Sequence, residues 1–259
     1  MLGFQIEDIF KAALVFIRIG GILMFLPIFG DTPTPVRARI FIAAGLSMLF
    51  YHMVPTPAVN LLQMDVVGLG WIVIKELFIG FGIGFISKMA FDGILMAASL
   101  VGYQMGFGMA NLLVPDAGQQ LNGFTATHRI IVILIFLGLN LHYIFINAIA
   151  YSFTSIPLMG VEINPNITQL IIQLSADIFS ISIQLAAPIL VALLFTMGAL
   201  GLVARTVPQM NVFTMSFPMS FFIGLLVYIA SFPFFPDWMT AHFTNTNNHL
   251  IQMIHGLSP

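Results

Sequence analysis

The chain has 259 residues, 59% of them hydrophobic and only 7% charged, with a mean hydropathy of +1.02. An ordinary soluble domain carries about 25% charged residues, so these few charges exclude a water-facing globular surface. A net charge of −2 with eight basic residues points to no nucleic-acid partner, and the lack of cysteine excludes disulfides and thiolate chemistry.

Lipid admits only helices and closed barrels, because backbone polar groups find no water there. A barrel shows alternating segments of about ten residues. This chain shows long continuous apolar runs instead. The expected fold is all-α: a polytopic helical membrane protein with kinked and broken helical hairpins.

In chain order, MLGFQIEDIFKAALVF carries Glu7 and Asp8 where a cleavable signal carries basic residues. It reads as an uncleaved first span over Ile9 to Phe29. A second run covers Ile40 to Val54, after Pro33 and Pro35 and before the Pro55–Pro57 turn. The third covers Val66 to Ser87 and continues after Lys88 through Met89 to Val114. Others follow at Ile130 to Ile156, Ile167 to Ala204 and Met210 to Phe235. A span needs about 20 apolar residues, so the second run is short. As one helix, Ile167 to Ala204 is about 55 Å long. It also holds Asp177 and Pro188, so it kinks, leaves the bilayer or folds back. Six to seven helices are expected, in a single domain over 1–259 that ends in a short polar tail over 237–259. Arg37, Arg39, Lys88, Arg129 and Arg205 fall on one side if Met89 to Val114 is not a full span. That side is cytoplasmic by the positive-inside rule, with both termini outside.

Enzyme motifs are missing: there is no His-Glu-x-x-His, Gly-x-Ser-x-Gly or P-loop. The histidines at 52, 128, 142, 242, 249 and 255 have no partners at metal-ligand spacing. No catalytic residue, metal or cofactor is expected, and His142 reads as an interhelical hydrogen-bonding group. Charges inside apolar runs include Arg18, Lys75, Glu76, Asp177 and the i,i+4 pair Lys88 and Asp92. Each unpaired charge costs a few kcal/mol at mid-bilayer. They form a proton relay or buried interhelical or intersubunit pairs; their scatter favours pairs.

Gly80-x-x-x-Gly84 and Gly102-x-x-x-Gly106 allow close helix approach. The segment Gly102 to Phe124 alternates glycine with large adaptable side chains and breaks at Pro115. Such a segment at membrane depth either packs in protein or lines a cavity. Tyr103, Met105, Phe107, Met109, Leu112 and Leu113 are the candidate pore or plug residues. In ARTVPQMNVF, Pro208 ends one helix and starts another. Gln209 and Asn211 can cap freed backbone groups or reach another subunit, and Arg205 sits at the boundary.

Leu200 to Leu225, LGLVARTVPQMNVFTMSFPMSFFIGL, closely resembles the C-terminal signature of the FliR family of flagellar export-gate proteins. The resemblance covers nearly the whole chain. It includes Arg18, Pro27, Gly30 and Pro35; Glu76, Gly80 and Gly84; Gln104, Gly106, Met109, Ala110 and Gly118; and Ser152, Phe153, Pro157 and Gly160. The chain departs from the family at Val114 and Asp116, at Leu141 and at Ala97-Ala98.

The resemblance implies a non-enzymatic gate subunit that joins FliP and FliQ in a pore for unfolded flagellar subunits, with FlhB and FlhA alongside. It implies an inner-membrane location at the basal body, with much of the gate above the bilayer plane. It implies that Arg18, Glu76, Gly80, Gly84, Gly106, Arg205, Pro208, Gln209 and Asn211 serve structural or intersubunit contacts. An injectisome gate subunit is the alternative within the class. A small-molecule or ion transporter is the alternative outside it, but predicts an inverted repeat that the chain does not show.

Overall fold

The computed structural model describes residues 6–26, 35–55, 65–107, 123–162, 166–207, 209 and 211–259. Among them the chain is all-α, without a strand. The helices are α1 Ile6–Phe25, α2 Val36–Tyr51, α3 Val66–Gln104, α4 Gly123–Gly138, α5 His142–Ser155, α6 Asn166–Thr206, α7 Val212–Ser231 and α8 Phe235–Leu257. A 3-10 turn, Phe232–Phe234, precedes α8. Val66–Gln104, Ile167–Thr206 and Thr214–Leu257 are each long and apolar enough to cross a membrane; α4 and α5, bent by 67° at their junction, form either a broken fourth span or a re-entrant loop. The expected fold class is the one found.

The residues divide into two compact units. The first holds Met1–Ala90, Leu141–Leu174 and Phe243–Pro259; the second holds Phe91–Asn140 and Ser175–His242.

In the first unit, α1 buries Leu14, Val15, Ile19, Ile22 and Leu23 at helical spacing. Lys11 and Arg18 lie on this same buried stripe. The Tyr51 hydroxyl at the end of α2 donates to Asp8 Oδ1 at 3.0 Å, and Lys11 Nζ sits 4.3 Å from the Tyr51 ring centroid. The residues read as a polar tail lie within α8 as far as Leu257. Phe243, Leu250, Met253, Ile254 and Leu257 are buried on one face of it. Spacing, not composition, makes this helix: its asparagines and threonines occupy mainly the other faces. Its end is tied to the α5–α6 connection, where Glu162 N donates to Leu257 O at 3.2 Å.

In the second unit, Ala97, Val101 and Met105 of α3 form a core with Ala186, Ile189 and Leu193 of α6. Ser182 of α6 donates to Gly93 O at 2.9 Å. The long run does not fold back: α6 is one helix of 41 residues with Pro188 inside it, about 60 Å long at 1.5 Å per residue. One missing N–H in an apolar helix is tolerated where neighbouring helices support it. α3 is likewise continuous past Lys88, for 39 residues. It ends at Gln104, eleven residues before Pro115, because Gly106 takes φ 95°. Phe107 N donates to Gly102 O and Gly106 N to Tyr103 O, both at 3.0 Å. These two bonds close the helix as a Schellman cap.

Candidate functional site

Arg18 and Glu76 meet at the centre of the first unit, both 0% exposed. Arg18 Nε donates to Glu76 Oε2 at 2.6 Å. Arg18 Nη1 donates to Ser152 O at 2.9 Å and to Ile156 O at 3.1 Å. These carbonyls belong to the last turn of α5 and to its C-cap residue, where the helix dipole favours a cation. The guanidinium carbon lies 4.5 Å from the Phe153 ring centroid, close enough for a cation–π contact. The other carboxylate oxygen, Glu76 Oε1, accepts from Met159 N at 3.0 Å. Met159 has φ 72°, the left-handed region, so the carboxylate holds an uncommon turn. One ion pair thus ties α1 and α3 to the end of α5 and the turn after it. Arg18 Nη2 has no hydrogen-bond partner among the described residues.

Glycine makes that meeting possible. A Cβ built on Gly80 would clash with Arg18 O and lie 3.1 Å from Gly21 Cα; one on Gly84 lies 2.7 Å from Ile22 O. The Gly80/Gly84 motif is therefore used inside the chain, against α1. Gly21, unremarked in the sequence, is its counterpart.

Lys75, adjacent to Glu76 in sequence, is half-buried, and Asp177 is exposed. These scattered charges do not join Arg18 and Glu76. His142 Nδ1 is buried and without a hydrogen-bond partner among the described residues, so the expected interhelical bond is not formed at that atom.

The candidate plug residues separate. Tyr103 is 62% exposed and Met105 fully buried in the second unit's core. Phe107 packs on Phe124 and Phe221, with ring centroids at 6.1 and 5.7 Å. Met109, Leu112 and Leu113 lie outside the described residues. Gly106 carries two constraints: its positive φ, and the Phe217 ring, whose Cδ2 would lie 2.5 Å from an added Cβ. Gly106→Ala is expected to destabilise the protein by about 1–2 kcal/mol from backbone conformation alone. A lowered melting temperature in detergent is the expected readout; an unchanged one contradicts the cap.

At the corner, Arg205, Gln209 and Asn211 are exposed, and Pro208 lies outside the described residues. Asn211 is the N-cap of α7: its side-chain oxygen accepts from Thr214 N at 3.2 Å. Such a cap contributes about 1 kcal/mol.

Among the described residues no group of three or more His, Cys, Asp or Glu is placed to hold a metal ion. Long apolar helices, a buried ion pair and large exposed apolar faces define a multi-pass helical membrane protein. The chain matches the family described as bacterial export proteins, family 1, over residues 9–246. The flagellar biosynthetic protein FliR of Bacillus subtilis (strain 168) is 31% identical over 232 residues, 87% of this chain and 87% of the relative. That of Caulobacter vibrioides is 30% identical over 219 residues, 84% and 86% of the two chains. The FliR of Escherichia coli (strain K12) is 24% identical over 238 residues, covering 92% and 90%. The chain belongs to the FliR family, family 1 of the bacterial export proteins. That membership makes it a membrane component of the flagellar export apparatus.

Proposed function

We propose that this chain is a non-enzymatic core subunit of the flagellar type III export gate. It assembles with FliP and FliQ in the bacterial inner membrane, beside FlhB and FlhA, and helps to form and seal a pore for unfolded flagellar subunits. The observation that carries this reading is a family match that runs through residues 9–246 rather than through one motif. The apolar exposure supports it: Phe195, Leu194, Phe222 and Leu226 stand out from α6 and α7. Apolar patches larger than a few hundred Å2 mark surfaces that lipid or other subunits cover. Arg18, Glu76, Gly80 and Gly84 then serve the subunit's own frame. The exposed Arg205, Gln209 and Asn211 serve contacts with other subunits at the cytoplasmic entry. Both termini lie on the periplasmic side.

The seal is assigned to the segment from Tyr103 to Leu113. Polar substitution of Phe107, Met109 and Leu112 together is expected to let ions leak across the inner membrane of cells that still assemble the gate. Conductivity or dye-uptake measurements read this directly. Unchanged permeability in an assembled triple variant removes the plug role.

A further inference from the structure

The second unit contains a cavity of about 360 Å3 that the gate reading does not use. Its walls include Ala98 of α3, Pro188 of α6, Tyr228 of α7, and Phe235 and Trp238 of α8; among the described residues no Lys, Arg, Asp or Glu lines it. Several of its polar groups have partners within the protein. His128 Nδ1 and the Tyr228 hydroxyl share a hydrogen bond of 2.9 Å. The Ser231 hydroxyl donates to Val227 O at 2.8 Å, and Gln184 Nε2 donates to Ser180 Oγ at 3.2 Å. The fold does release the Gln184 carbonyl, because its helical donor would be the N–H that Pro188 lacks. The rest of the lining is mainly apolar or aromatic, with Ala97, Val101, Leu185, Ile189 and Phe124 among it. The chemistry of the walls selects an apolar occupant.

The mouth shows where that occupant comes from. Phe234, 74% exposed, and Phe232 border it. Phe232, Phe235 and Trp238 follow one another as neighbouring rings, with centroids 6.3 and 6.2 Å apart. This row stands where apolar α7 gives way to polar α8, beginning with Thr240, His242 and Thr244. An aromatic belt at such a transition marks the membrane–water interface. An apolar cavity opening at that depth faces the acyl chains beside it. We infer that the cavity binds one acyl chain of a bilayer phospholipid, inserted past Phe232 toward Ala98. The occupant is a lipid chain, not water and not a protein side chain.

The chain has only two tryptophans, which makes the test direct. Trp238 lines the cavity, whereas Trp71 is 60% exposed elsewhere. The full chain carrying Trp71→Phe, and separately Trp238→Phe, is reconstituted in phosphatidylcholine vesicles with a rising fraction of brominated acyl chains. Trp238 is expected to lose more than half its emission, with the dependence on brominated fraction of a single site. Trp71 is expected to follow the steeper curve of a residue touched by many exchanging lipids. Ala98→Leu fills the cavity and is expected to remove most of the Trp238 quenching, with loss of the one phospholipid retained per chain after detergent exchange. Unquenched Trp238 means that the cavity is closed or filled by protein, and overturns the inference. A Trp238 curve that matches that of Trp71 overturns it too, as does quenching that survives Ala98→Leu. If Ala98→Leu fails to fold, the two single-tryptophan curves still decide.

Discussion

Glu76→Ala is expected to cost about 3–5 kcal/mol, because it leaves the Arg18 guanidinium buried without its counter-charge. The carboxylate does two jobs, neutralising Arg18 Nε and accepting the Met159 amide. Its loss strands a charge and a backbone donor together. The expected result is a sharp fall in folded protein recovered from membranes, with a lower melting temperature for what remains. Arg18→Met combined with Glu76→Leu is expected to recover most of the loss, since an apolar pair of similar volume carries no desolvation cost. The single and double variants, measured for yield and thermal stability in one detergent, give the comparison. A Glu76→Ala protein as stable as the parent, or a double variant worse than either single one, contradicts a structural ion pair.

Gly80→Val is expected to be comparably damaging by a different route. The added Cβ meets the backbone of α1 at Arg18 O and Gly21 Cα, and backbone cannot swing aside. Overpacking of this kind costs about 1–3 kcal/mol, and pushing α1 outward also draws Arg18 from Glu76. Two neighbours serve as controls. At Gly82 an added Cβ meets only the flexible end of Met253, and at Gly20 it meets nothing within 4 Å. Alanine at Gly20 is expected to be tolerated and at Gly82 to be mild. Equal effects at Gly20 and Gly80, in the same thermal assay, contradict the close crossing.

Much of this frame is written in spacing rather than in composition. Arg18 lies three and four residues from Val15, Leu14 and Ile22, and Glu76 lies four from Ile72. Both charges therefore stand on stripes that must be buried, which makes pairing the natural expectation. That they pair with each other, across 58 residues, depends on a helix crossing that no local pattern encodes. The backbone carbonyls of Ser152 and Ile156 and the Met159 amide carry no side-chain signature at all. The C-terminal residues show the opposite failure. Their asparagines and threonines read as a tail, yet Phe243, Leu250, Met253 and Leu257 keep the period of a buried face. At the end of α3, the prominent Pro115 drew the boundary away from Gly106, although a glycine after a helical run is the ordinary stop signal. At the corner, Asn211 followed by an apolar run is an N-cap pattern with a local cause, but the helix starts at Val212, four residues beyond Pro208 where the sequence placed it. The division into two compact units rests on contacts between distant segments and was not legible.

The gate reading stands or falls on assembly. The most direct measurement is extraction of the tagged chain, expressed with its neighbouring genes, in mild detergent, followed by mass spectrometry of what remains bound. A large stable particle containing FliP and FliQ is the result expected of a gate subunit. A chain that elutes alone, folded, as a monomer or homodimer contradicts it.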